Sequence, residues 1–213
     1  MKSNADTGVH PEPYRFTPNP CAWTADAGDD LPYRLVEAQY AADLAEAATG
    51  HDPAAHRRGR LEAVRAVDIA ASQASALDLE LLACDALRAF LFAAGTGITV
   101  GGPILRVRAA AAVLLGLMLE EWTTNSIKFG ALGGVGRNSA LRLQWLLAPN
   151  HVELSWRERG VPIVQSADTR RNGFGKYMVE HVLPQQLGAI SHFALLPGGI
   201  DCTLILPKSI VAD

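Results

Sequence analysis

The chain changes its hydrophobic period along its length, and each change predicts an element. Residues 33–49, YRLVEAQYAADLAEAAT, place Leu35, Ala38, Ala42 and Ala45 at helical spacing. Gly50 is set to stop that helix, and Asp52-Pro53 offers a cap and a first-turn proline for the next. A second helix is predicted over 53–75, with Leu61, Val64, Val67, Ile69 and Ala71 on its apolar side. Two helices joined by so short a loop make an antiparallel hairpin. Alone it cannot bury both faces, so a second copy of the chain is the expected cover. Ile98-Thr99-Val100, a β-branched run between glycines, predicts a strand. A long helix is predicted from near Leu105. Its small and apolar run, Ala109 to Leu119, is too short to cross a membrane and suits a buried helix. Residues 140–158 alternate instead. ALRLQWLL and HVELSWRE read as a hairpin about Ala148-Pro149-Asn150, with Leu141, Leu143 and Trp145 facing one way, as do Val152, Leu154 and Trp156. YMVEHVLPQQLG predicts another helix, which Pro184 ends or kinks. Strands at about 189–196 and 200–206 flank Pro197-Gly198-Gly199. Residues 1–30, with Pro11, Pro13, Pro18 and Pro20, hold neither period and read as a disordered or extended arm.

Composition narrows the class. At 213 residues the chain has room for a helical unit of 31–78 and an α/β domain of 79–213, and none for a separate sensor domain of about 100 residues. A net charge of −3 gives no footing for a nucleic-acid surface. Cys21, Cys84 and Cys202 lack CxxC spacing and suit a reducing compartment. With no apolar run of about 18 residues and no signal-peptide core, the expectation is a soluble, cytoplasmic protein without membrane contact.

The chemistry gathers in LEEWTTNSIKFGAL, residues 119–132. Glu121, Asn125 and Lys128 stand at i, i+4 and i+7, on one helical face. A carboxylate, an amide and an ammonium on a greasy helix are costly to bury without partners. The bland alternative is a polar stripe on a surface helix. Downstream, Glu158 ends a strand, where the bland reading is a carboxylate in water. Arg170 and Arg171 lie in a polar link, able to meet phosphate or simply solvated. Gly173-Phe174-Gly175 opens a helix, where glycines let a phosphate approach the backbone.

Residues 119–132 resemble the N-box of the GHKL ATPases, and most closely that of the HWE group of bacterial sensor histidine kinases, roughly LHELATNAAKYGAL. WRERGVP, residues 156–162, is similar to that family's WxExGGP, with Val161 in place of a glycine. Residues 173–175 match the GFG of its G2 box, and 163–172 its short ATP lid. GRLEAVRAVDIAASQASALDLELLACDALRAF, residues 59–90, resembles its second bundle helix and the link beyond. The resemblance implies an α/β sandwich of GHKL (Bergerat) type after a helical hairpin that dimerises as a four-helix bundle. It implies ATP and Mg2+ as ligands and a response regulator receiver domain as partner. By the same resemblance Glu121 positions water and metal, Asn125 holds Mg2+, and Lys128 contacts phosphate. Glu158 accepts from the adenine amino group beside Gly160. Arg170, Arg171, Gly173, Phe174 and Gly175 surround phosphate.

The phosphoacceptor motif HRxxN departs from this pattern. In register, the chain has Tyr33-Arg34-Leu35-Val36-Glu37, with tyrosine in the histidine position. His56-Arg57 reads like the motif's opening and makes His56 the other candidate acceptor. Glu120 also stands where the HWE group has its N-box histidine. Three readings follow: an ATP-dependent histidine kinase, a degenerate dimeric docking or phosphotransfer module, and a serine kinase of the anti-sigma type, which the hairpin disfavours.

Overall fold

Two helices lead into a five-stranded sheet covered on one side by helices. The computed structural model describes residues 31–45, 53–91, 97–133, 138–161 and 174–212. Helices α1 (Leu31–Ala45) and α2 (Pro53–Gln73) form the predicted hairpin. Leu31, Leu35 and Val36 are buried on α1. Arg57 on α2 forks onto Glu37 at 2.6 and 3.0 Å, and the Tyr33 hydroxyl donates to Asp68 at 3.0 Å.

The apolar side of α2 is narrower than the pattern predicted. Val64 and Val67 are buried, Leu61 is half-buried, and Ile69 is 62% exposed. That side turns to α5 (Ala109–Phe129) of the same chain. Gly116 supplies the room, because a Cβ there would sit 2.8 Å from Cγ2 of Val67. At the other end of the contact, a Cβ on Gly59 would sit 3.0 Å from Oε1 of Glu120. The pairs Val67–Gly116 and Gly59–Glu120 run in opposite senses, so the helices are antiparallel. The Val64–Val67 side of the hairpin is therefore covered within one chain.

Strand β1 (Ala76–Asp78) pairs antiparallel with β3 (Arg106–Arg108), so residues 76–78 side with the α/β unit. This pairing also explains why α5 begins at Ala109 and not near Leu105. Arg106-Val107-Arg108 is drawn into a strand with Val107 fully buried. Between these strands lie α3 (Leu79–Ala86), capped by Asp78, the short α4 (Arg88–Leu91), and β2 (Gly97–Gly101).

The main sheet runs β2-β4-β5-β7-β6. It contains β4 (Ala140–Leu147), β5 (His151–Arg159), β6 (Ile190–Leu196) and β7 (Gly199–Pro207). Among the described pairings of this sheet only β2–β4 is parallel. Register puts Leu143, Trp156 and Cys202 in one row and Trp145, Leu154 and Leu204 in the next. These six are buried, so one face of the sheet is apolar as the alternation predicted. Trp122 of α5 meets Trp156 with ring centres 5.7 Å apart. The other face carries polar groups such as the Arg157–Asp201 ion pair at 3.2 Å.

The helix that opens at Phe174 runs on past Pro184 instead of ending there. Helix α6 (Phe174–Tyr177) continues through a π-helical turn, Met178–Val182, into α7 (Leu183–Leu187). The N–H of Leu183 reaches back five residues to the Met178 carbonyl, widening the helix just ahead of the proline ring. Pro184 is absorbed in this way. Gly188, at φ +65°, ends the helix. Among the described residues no helix is long and apolar enough to cross a membrane.

The α2–α5 contact carries a pH dependence. Burial raises the pKa of Glu120 above the usual carboxylate range, and Glu121 raises it further, against the Thr124 hydroxyl and Arg60. A raised folded-state pKa favours the protonated form. The Glu120 contribution is fully present below the ordinary range and is lost as pH rises through the raised value. Glu120→Gln, neutral at every pH, is expected to melt higher than the wild type near neutral pH. Melting curves across the acid range should show that gap closing as pH falls.

Candidate functional site

The C-terminal turns of α5 supply the core of the site. Glu121 is 4% exposed. Both its oxygens accept from Arg60 of α2, Oε1 from Nε and Oε2 from Nη2 at 3.2 Å. Arg60 is itself 6% exposed, and its guanidinium lies 4.8 Å from the centre of the Phe174 ring. A fork on a carboxylate above an aromatic face suits arginine's planar geometry.

Phe174 and Gly175 begin α6 and are buried. A Cβ on Gly175 would sit 3.1 Å from Nδ2 of Asn125 and 3.4 Å from Cβ of Glu121. The start of α6 is thus laid flush on α5 between those two side chains. Asn125 is exposed, and Lys128, the next along the stripe, is half-buried. The i, i+4, i+7 stripe passes from under α2 out to solvent.

The structure therefore brings together Glu121, Asn125, Phe174 and Gly175, with Lys128 on the next turn of α5. It adds Arg60, to which sequence reasoning gave no role. Arg60 lies in the GRLEAV stretch that carried part of the resemblance, but no helical period reveals a partner 61 residues away. His56 is half-buried on α2 one helical turn before Arg60, on the same face. Because α2 and α5 are antiparallel, that turn lies toward the Asn125 end of α5. Tyr33, at the acceptor position, sits on α1 with its hydroxyl on Asp68. Arg170, Arg171 and Gly173 lie outside the described residues.

Glu158 is also placed at the end of α5, but from the sheet side. It is 2% exposed. Oε2 accepts the Ala131 N–H at 2.6 Å, and Oε1 accepts the Trp156 indole N–H at 2.8 Å. Gly130 has no space for a side chain, since a Cβ there would run into the Glu158 carboxylate. Just beyond, Gly160 adopts φ +71°, and a Cβ would lie 2.5 Å from the Asn138 carbonyl oxygen. The carboxylate assigned to adenine by resemblance faces inward in this structure and caps the chain leaving α5.

That geometry makes Glu158→Gln informative. Two N–H donors converge on one carboxylate, and an amide can accept from only one while its NH2 opposes the other. The variant is expected to lose about 1–3 kcal/mol of stability in urea denaturation, the usual penalty for a buried donor left unmet.

Known proteins can be set against this geometry. No protein-family model matches the chain. Over 113 residues it is 29% identical to a blue-light-activated histidine kinase from Erythrobacter litoralis, a match covering 52% of the chain and 30% of that protein. Over 128 residues it is 32% identical to a blue-light-activated histidine kinase from Brucella anthropi, covering 58% of the chain and 25% of that protein. The match thus takes in less than a third of either relative. Among solved structures, the histidine kinase domain of an Erythrobacter litoralis blue-light-activated histidine kinase superposes with a TM-score of 0.56 at 16% identity. It covers 84% of this chain and 87% of that one. In sequence the chain is similar to blue-light-activated histidine kinases over somewhat more than half its length, and its fold, an α/β sandwich preceded by a helical hairpin, is like that of a histidine kinase domain.

Proposed function

We propose that the chain binds ATP with Mg2+ on the face formed by Glu121, Asn125, Lys128, Phe174 and Gly175, and serves as a histidine-kinase-like component of two-component signalling. The observation that carries this reading is the seat of Gly175 on Asn125. A side chain at 175 would meet the amide at 3.1 Å, whereas glycine leaves backbone beside it. The donor set fits the ion. Mg2+ takes few protein oxygens and keeps several waters alongside phosphate oxygens, so one exposed amide oxygen is enough. Lys128 offers a point charge to phosphate. Together they would supply positioning and charge neutralisation, the main sources of catalysis in phosphoryl transfer.

His56 is the acceptor this reading favours: it is a half-buried histidine of the hairpin, one turn from Arg60 on α2, and movement of the hairpin would bring it to the γ-phosphate. A ring nitrogen would form the new P–N bond as the bond from the γ-phosphorus to its bridging oxygen breaks. ADP would leave, and the imidazole would give up its other proton to solvent. The expected partner for the phosphoryl group is a response regulator receiver domain. The expected homodimer would use surfaces of the hairpin other than the Val64–Val67 side.

Tyr33 favours a second reading, a docking or phosphotransfer module that does not label itself. A phenol bonded to Asp68 is a different acceptor from imidazole. The two readings part in one pair of measurements. Mg-ATP at about 100 times its dissociation constant should stabilise the wild type by about 2.7 kcal/mol, read as a rise in melting temperature, and Asn125→Ala should abolish that rise. Incubation with γ-labelled ATP should then leave acid-labile phosphate that His56→Ala removes. A melting shift without label selects the docking module, and no shift in the wild type sinks both readings.

A further inference from the structure

The nucleotide reading leaves Arg60 without a task, although its guanidinium stands at the middle of the site. It belongs to the hairpin and not to the α/β unit. From there it engages both oxygens of Glu121 and covers the ring of Phe174, the first residue of α6. One side chain of α2 thus closes over two elements assigned to the nucleotide.

Two properties give that contact a meaning. A carboxylate as buried as Glu121 requires a countercharge or hydrogen-bond donors, and the described donors to Glu121 are those of the Arg60 guanidinium. Bound nucleotide would bring a countercharge, because Mg2+ keeps its waters and presents them to nearby carboxylates. Arg60 and hydrated magnesium therefore make the same demand on the same two oxygens. The second property is that the seam holding α2 is thin. Between residues 54 and 73, its buried side chains are Arg60, Val64 and Val67. With Leu61 half-buried beside them, these side chains make a smaller apolar contact than the sheet core, and one that opens at lower cost.

We propose that Arg60 is an affinity-determining residue of the nucleotide site: it holds Glu121 in place of the hydrated metal, so that docking of α2 on α5 and binding of Mg-ATP compete. This rests on the nucleotide reading above. Linkage makes the effect reciprocal. Mg-ATP loosens the hairpin and with it His56, and whatever draws the hairpin away raises nucleotide affinity.

The test is calorimetric titration of the full chain with Mg-ATP, for wild type, Arg60→Gln and Gly116→Leu, with hydrogen exchange on each. Gly116→Leu keeps every charge and a good helix former in α5, but drives a side chain into Val67. Both variants are expected to bind Mg-ATP about tenfold more tightly than wild type. In the wild type, amides of α2 should lose protection when Mg-ATP is added, while those of β5 hold theirs and report an intact α/β unit. Equal affinities in all three proteins overturn the competition and leave the nucleotide site standing. Weaker binding by Arg60→Gln also overturns it, making Arg60 a phosphate ligand. If none of the three binds Mg-ATP, the nucleotide reading itself falls, and the competition with it.

Discussion

Helix α5 has to satisfy a sheet on one side and a helix on the other. Of its 21 residues, 13 are buried, far more than one amphipathic stripe requires. On the sheet side Trp122 packs against Trp156. On the other, Gly116 admits Val67 at a distance that any side chain would forbid. The run AAAAVLLGLMLEE suits such a position: Gly116 makes room where Val67 of α2 crosses, and large residues follow toward the sheet. Only after that layering is set do the polar residues of the last turns find their places.

Two carboxylates are buried around the end of this helix, and they are satisfied in different ways. Glu158 receives neutral N–H donors from Trp156 and Ala131 within its own neighbourhood. That bonding joins β5 to the chain leaving α5 and needs no charge from elsewhere. Glu121 has its bonds from a guanidinium on a separate element. Removing that element would strand a buried anion, whereas Glu158 would be untouched. The first carboxylate is part of the scaffold. The second is a contact between parts, and its state depends on where the hairpin sits.

Most of the fold was legible in the sequence, because it rests on short-range periods. Alternation at Leu141, Leu143 and Trp145 and at Val152, Leu154 and Trp156 named the buried face of the hairpin, and the register bears it out. Gly198 marked the final turn and does adopt φ +79°. What the sequence hid was set by partners far away in the chain. Arg106–Arg108 looked like the first turn of a helix, until β1 gave it a strand to pair with. Pro184 read as an end or a kink, since a proline signals its missing N–H but not a widened turn ahead of it. In the site, the spacing grouped Glu121, Asn125 and Lys128 on one face, but could not show that one end of that face lies under α2. Arg60 was hidden for the same reason, and so was the inward turn of Glu158.

The cover on α2 bears on how the hairpin can work. An amphipathic hairpin with an open apolar side demands another molecule, and its partner is fixed by hydrophobic area. Here Val64 and Val67 are already occupied by α5, and Ile69, the large apolar residue left out, is 62% exposed. The described contacts that hold the hairpin to the α/β unit include Val64 and Val67, half-buried Leu61 beside them, and the Arg60–Glu121 ion pair. Ion pairs of this kind contribute little net stability against an apolar replacement, yet are costly to break one-sidedly. Such a contact is poor glue and a good discriminator: it tolerates exchange of one countercharge for another, but not the loss of both. That asymmetry ties the position of α2 to what Glu121 has before it, with no long-range pathway beyond a single shared carboxylate.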